Sequence, residues 1–474
     1  RHDHSHPQGQ HQRPPLHHQR PGPRAEDITS ERLHHPPAGR SAQSRRRHRL
    51  HHRPRPLATP SRPRHRREGQ HQLRRVPDHG RHRRSAPQPP ALHGTHPPAP
   101  HRRRRHRHRP DQHARTSLGH HQHEPPTLRR PVHNPYAFQK IPGGSSGGTA
   151  VAVATRVVTC GLGTDTGGSS RIPAALTGTV GYHPSVGNGG PERRYHDEDA
   201  IVPLSPILDT VGLVCLDVEG IALLDSTITG RPRVTRPAKL RGLRLGVPPV
   251  LWSNLDVELE RVVLDAARKL SDHGVVLVRD DIPNLTTIGR FVQLITYHDP
   301  LTAFPAYLRA NGVAGVDLRS IVAGIASPDV RTAFEMILSD VYGPQYPYIV
   351  TVLRPFLQQL YADYFSRTGV DAILFPTTIL PAVRIDYVNG SGNVSINGGP
   401  PVDTDAAFER NTDPGASAGL PGLSIPAGMT KSGLPVGIEI DGPVGSDERM
   451  FAIGLAIEKV LGPVPPPKGY PLSV

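Results

Sequence analysis

The chain has 474 residues, a formal charge of +16 and a pI near 10.3, a balance that at first suggests a nucleic-acid binder. The charge is not spread evenly: residues 1–130 hold 30 arginines, no lysine and 8 acidic residues, and the other 344 hold 27 basic and 33 acidic side chains. Composition therefore excludes a uniformly basic protein, and the lack of an apolar run of about 18–20 residues argues against a membrane-spanning helix.

Residues 1–130 also carry 24 of the 29 histidines, no Phe, Tyr or Trp, one isoleucine (Ile28) and one valine (Val76). Such a segment buries too little apolar area to offset chain entropy, so it is expected to be largely disordered. Three functional readings stand beside that one. His120, His121 and His123 could hold a metal, but no tetrahedral ligand spacing repeats. A basic arm binds nucleic acid by charge alone, here without aromatics for base stacking. The third reading is a reading-frame error. Arg, His and Pro enrichment without Lys, Phe or Tyr is what a GC-rich gene yields out of frame. Glu68-Gly69-Gln70-His71-Gln72 is encoded by GAR-GGN-CAR-CAY-CAR, and a one-base shift reads ARG-GNC-ARC-AYC-AR, which can encode Lys-Asp-Asn-Ile. Within the same segment, residues 26–31 look like an ordinary helix start with Thr29 or Ser30 as N-cap. We take residues 1–130 as out of frame and 131–474 as one domain, incomplete on its N-terminal side.

From Pro131 onward apolar residues recur with clear periods. Residues 143–148 (GGSSGG) form a glycine-serine loop. A small apolar helix is predicted at 149–158, a buried strand at 158–164, and a second glycine-serine loop at 166–171 (TGGSSR). A short helix at 172–176 and a strand at 179–182 follow. Further on, a strand is predicted at 243–247, an amphipathic helix at 257–272 and a strand at 275–279. Residues 284–368 read as mainly helical. Strands are predicted at 372–376, 423–426 and 437–440, and a closing helix at 447–460 with Ser446 as N-cap. Alternating strands and helices indicate an α/β fold, a large sheet covered by helices on both faces. Cys160 and Cys215 lack CxxC spacing and are expected to be reduced, packed thiols. The Arg/His-rich start has no apolar stretch like that of a signal peptide, so the expected location is cytoplasmic.

A flexible linker does not explain GGSSGG, because apolar elements follow directly and a second such loop comes one helix and one strand later. Neither loop has GxxxxGK[ST] or GxGxxG, which argues against phosphate binding. Nucleophilic catalysis fits better. Without Cβ atoms, Gly167 and Gly168 let backbone N–H groups crowd a substrate carbonyl, and donors at Thr166, Gly167, Gly168 and Ser169 could form an oxyanion hole. A serine nucleophile needs a base. Outside the tail the chain has only His133, His183, His196, His273 and His298, none in a motif that supports a Ser-His-Asp triad.

GGSSGG at 143–148 followed by GLGTDTGGSSRIP at 161–173 resembles the defining signature of the amidase-signature family. The resemblance implies that family's mixed α/β fold and a Ser-cisSer-Lys triad. Carried over, Ser169 is the nucleophile that becomes acylated. Ser145 is the bridging serine, preceded by a cis peptide bond. Ser146 helps to hold the loop, and Asp165 and Arg171 brace the second loop. Tyr182-His183-Pro184-Ser185 is similar to a segment that usually has Lys where His183 stands. The segments 209–212, 375–378, 419–422 and 433–437 match the later core, so about residues 131–465 are covered. The run from Asn411-Thr412-Asp413-Pro414 to Gly437 looks like the branch acting on arylalkyl amides such as indoleacetamide or mandelamide. The family lysine, implied about 70–80 residues before the bridging serine, is absent: the first lysine is Lys140. The shifted-frame lysine would stand near position 69, inside that window.

The resemblance thus implies hydrolysis of a small-molecule carboxamide to carboxylate and ammonia, with no metal or organic cofactor and no turnover as written. It implies no specific nucleic acid and no membrane, and leaves a homodimer open. A glutamyl-tRNA amidotransferase-type subunit is the alternative within the family. A non-enzymatic nucleic-acid binder acting through residues 1–130 is the alternative outside it.

Overall fold

The computed structural model describes residues 131–196, 200–388 and 390–469. The expectations for residues 1–130 lie outside the described residues: their lack of packed structure, the helix start at 26–31, the histidine cluster 120–123 and the shifted-frame motif at 68–72.

The first loop leads into α1 (Gly147–Ala154), which begins inside the loop and ends four residues before the predicted limit. Strand β1 (Cys160–Asp165) follows, then α2 (Arg171–Thr177) and β2 (Val180–His183). Next come β3 (Thr210–Cys215) and α3 (Val218–Thr229), which the periodicity did not suggest. Strand β4 (Arg244–Gly246) precedes α4 (Val257–Asp272), which has the predicted bounds. Its residues Leu259, Val262, Val263, Ala266, Ala267 and Leu270 are buried, the spacing of one helical stripe. The Asp256 carboxylate caps it, accepting from the N–H groups of Glu258 (2.9 Å) and Leu259 (3.3 Å).

After β5 (Val276–Val278) the chain is helical as predicted: α5 (Leu285–Gln293), α6 (Pro300–Ala310), α7 (Leu318–Ala323), α8 (Pro328–Ser339), α9 (Tyr346–Tyr348) and α10 (Arg354–Thr368). Then come β6 (Ala372–Pro376) and a small hairpin of β7 (Asn393–Ser395) and β8 (Pro401–Asp403). Two short helices, α11 (Thr404–Glu409) and α12 (Asp413–Ala418), lead to β9 (Gly422–Met429), β10 (Pro435–Asp441) and α13 (Asp447–Leu461). Ser446 holds the N-cap position of α13, but its hydroxyl makes no capping bond. No described helix is long and apolar enough to cross a membrane.

Eight strands form one mixed sheet in the order β1-β3-β2-β9-β10-β6-β4-β5. Pairing is antiparallel from β1 to β6 and parallel from β6 through β4 to β5. Alternation along β6 shows how both faces are covered. Leu374 packs in a cluster with Val263 and Ala266 of α4 and Phe451 of α13. Ile373 and Phe375 pack in another with Leu357, Tyr361 and Tyr364 of α10. On that second face β10 carries Glu439 and Asp441, which stand opposite Phe375 and Ile373 in the register.

The cysteines correct the expectation of free thiols. Cys160 and Cys215 are directly opposite across the β1–β3 pair, with Cα atoms 4.1 Å apart, and form a disulfide. Fifty-five residues of sequence separation hid a register that brings them together.

Candidate active site

The first loop meets the second through Ser146. Its N–H donates to the Ser169 carbonyl (3.0 Å). Its hydroxyl lies 3.2 Å from both the N–H and the C=O of Thr164, tying the loop to β1. The Gly144–Ser145 peptide is cis, as the resemblance implies. Ser145 is half-buried beside this junction and Ser169 is buried.

Residues 166–170 connect β1 to α2, and several of their carbonyls and side chains are held by hydrogen bonds. Thr166 donates its hydroxyl to Asp209 Oδ1 (2.7 Å), while Asp209 Oδ2 accepts from the N–H groups of Leu204 (2.7 Å) and Ser205 (2.8 Å). Burial pushes the Asp209 carboxyl up to about 6. The Gly167 carbonyl accepts from the Thr412 hydroxyl (2.6 Å) and the Gly168 carbonyl from the Ile172 N–H (2.8 Å). By contrast, among the described residues the N–H groups of Gly167, Gly168 and Ser169 meet no acceptor. Three adjacent backbone donors without partners, next to a serine, are the parts of an anion-stabilising site.

Glycine is required twice here. A Cβ on Gly167 would lie 2.4 Å from Asp413 Oδ1. One on Gly168, whose φ is +141°, would lie 2.4 Å from Thr412 Oγ1. The narrow cleft beside Thr166, Gly167 and Ser169 is walled by Leu204, Gln293, Tyr297 and Arg290.

Beneath the loop lies a buried ionic cluster. Arg171 donates to both Asp165 oxygens (3.1 and 3.0 Å) and to Glu439 Oε1 (2.5 Å). Asp165 also accepts from the Ser170 hydroxyl (2.6 Å) and N–H (3.1 Å). Burial would raise the Asp165 carboxyl, but Arg171 and His183 outweigh it and hold it below the carboxylate range. Asp441 and Asp413 are buried nearby and go the other way: burial raises both, helped by Glu439 and by Glu409 respectively. The one guanidinium thus holds Asp165 as its carboxylate, while burial raises the carboxyls of Glu439, Asp441 and Asp413.

No histidine hydrogen-bonds Ser169 among the described residues. His183 is fully buried, with Nδ1 3.0 Å from the Leu420 carbonyl, and burial lowers it to about 4. Lys140, the lysine nearest the first loop in sequence, donates instead to the Ala382 carbonyl (2.8 Å). The sequence reading missed Asp209, Thr412, Asp413, Glu439 and Asp441 as parts of the site. Segments containing Asp209, Thr412 and Asp413 had been matched to the family, yet no local pattern said that they meet the loop.

Comparison with known proteins agrees with this geometry. The amidase family matches residues 117–451. Indoleacetamide hydrolase of Agrobacterium vitis is 40% identical over 335 residues, covering 70% of this chain and 69% of that protein. Mandelamide hydrolase of Pseudomonas putida is 38% identical over 352 residues, covering 71% and 65%. A crystal structure of an amidase superposes with a TM-score of 0.59 at 27% identity, over 72% of each chain. The chain therefore belongs to the amidase-signature family of amide-hydrolysing enzymes.

Proposed function

We propose that the site hydrolyses a neutral arylalkyl carboxamide to the carboxylate and ammonia, with Ser169 as nucleophile and Ser145 as the bridging serine. The reading rests on the three unpartnered N–H groups of Gly167, Gly168 and Ser169 beside the serine. Relatives named for indoleacetamide and mandelamide support the substrate class. Ser169 attacks the carbonyl carbon, and the loop N–H groups take the charge that gathers on oxygen. The amide nitrogen leaves as ammonia only once it has taken up a proton, and the serine is a strong nucleophile only when its proton is removed. A neutral lysine does both in the mechanism that the resemblance implies.

This chain has no lysine before Lys140. We propose that the lysine belongs near position 69 in the shifted frame, and that the chain as written has lost amide turnover. Esters with an acidic leaving group need no protonation, so acyl transfer from a 4-nitrophenyl ester should survive at a reduced rate.

Resequencing the gene across the codons for residues 1–135 tests the frame. An inserted or missing base that restores a lysine near position 69 is expected. Ammonia release from indole-3-acetamide should then exceed that of the chain as written by ~10²-fold or more and vanish in Ser169→Ala. Equal ammonia release from the two chains would refute the loss of the base.

A further inference from the structure

We infer that Thr412 is a positioning residue for the oxyanion loop: its hydroxyl sets the Gly167–Gly168 peptide so that the Gly168 N–H faces the reacting carbonyl. The inference rests on the proposed role of Ser169. Thr412 occupies the N-cap position of α12, where a threonine ordinarily bonds its own helix. It makes no such bond. Its hydroxyl instead reaches the Gly167 carbonyl at 2.6 Å, with a weaker contact to the Glu409 carbonyl at 3.3 Å.

A peptide unit is planar and trans, so its C=O and N–H point in opposite directions. Holding the Gly167 carbonyl towards α12 turns the Gly168 N–H away from α12. That N–H has no acceptor among the described residues. The other end of Gly168 is fixed through its carbonyl, which accepts from the Ile172 N–H. The anchor itself is rigid. Thr412 is fully buried, and α5 approaches so closely that a Cβ on Gly289 would lie 2.7 Å from Pro414 Cγ. Without the hydroxyl, the peptide loses the side-chain hydrogen bond that holds it and is free to rotate about the flanking glycine dihedrals.

The test uses the full chain with 4-nitrophenyl indole-3-acetate, comparing wild type, Thr412→Val, Thr412→Ser and Ser169→Ala. Valine keeps the shape of threonine without its hydroxyl. Thr412→Val is expected to lower kcat tenfold or more with KM within about twofold, and Thr412→Ser to recover most of kcat, all variants unfolding at the wild-type temperature within a few degrees. A Thr412→Val variant with wild-type kcat, or a serine variant as slow as valine, would overturn the inference alone. Equal rates for wild type and Ser169→Ala would overturn both the role of Ser169 and the inference built on it.

Discussion

Thr166 and Asp209 are joined by a 2.7 Å hydrogen bond that ties the start of the glycine loop to a carboxyl which burial raises to about 6. Asp209 therefore binds more protons in the fold than in the unfolded chain between about pH 4 and 6. Its contribution to stability is full below that window and declines as pH rises through 6, by about 3 kcal/mol. Asp209→Asn should flatten that decline, and urea unfolding at pH 4, 5, 6 and 7 measures it. An unchanged profile would show that Asp209 ionises normally in the fold.

His183 acts with the opposite sign. Its folded value near 4 lies below the ordinary 6.5, so the unfolded chain takes up the proton first. Stability from this residue is full above about pH 6.5 and is lost as pH falls to 4, again by about 3 kcal/mol. The two effects oppose each other over the same range in the wild type. His183→Gln alone should therefore make the protein relatively more stable at pH 4 than at pH 7, and a variant with the wild-type pH profile contradicts this.

Gly168, in the second glycine-serine loop, and Gly148, in the first turn of α1, should respond differently to alanine. Gly168 has φ +141° and no room for a Cβ, whereas a Cβ on Gly148 meets nothing within 4 Å. Gly168→Ala should lower kcat on the nitrophenyl ester by about a hundredfold or more. Gly148→Ala, on the exposed face of α1, should leave kcat within about twofold and raise stability by ~0.5–1 kcal/mol. Similar losses in both would mean that general loop flexibility, not the Gly168 conformation, sets the rate.

Arg171→Met removes the cation shared by Asp165 and Glu439, both fully buried. Leaving the buried Asp165 carboxylate without its partner costs about 3–5 kcal/mol, to be read from the urea midpoint at pH 7. The deficit should shrink towards pH 4 as the carboxyls take up protons. A loss below 1 kcal/mol at pH 7 would show the cluster to be neutral without the arginine.

The Cys160–Cys215 bond closes a loop of 55 residues between β1 and β3. Cys160→Ala/Cys215→Ala should cost about 2–4 kcal/mol without reductant and nothing relative to wild type with dithiothreitol. Equal stability under both conditions would show that the bond does not form.

The sequence made legible what depends on neighbours along the chain. The stripe of Leu259, Val263 and Leu270 marked α4, and the apolar run 372–376 marked β6, because period and length are local properties. The two glycine-serine loops were visible for the same reason, and their spacing carried the family resemblance. What was not legible depends on sheet register and on distant approach. Cys160 meets Cys215 only because β1 pairs with β3 in one register. Thr412 reaches Gly167 across 245 positions, and Arg171 reaches Glu439 across 268. The β3 strand was missed because its short apolar run is broken by Gly212 and leads within two residues into the capped start of α3.

The central claim, that Ser169 accepts the acyl group, is tested most directly by mass spectrometry of the chain after mixing with 4-nitrophenyl indole-3-acetate. Trypsin cuts after Arg156 and Arg171, which places Ser169 in the peptide 157–171 once the disulfide is reduced. The account predicts an indoleacetyl adduct on Ser169 in that peptide, absent from Ser169→Ala. An adduct on any other residue, or one that persists in Ser169→Ala, would contradict it.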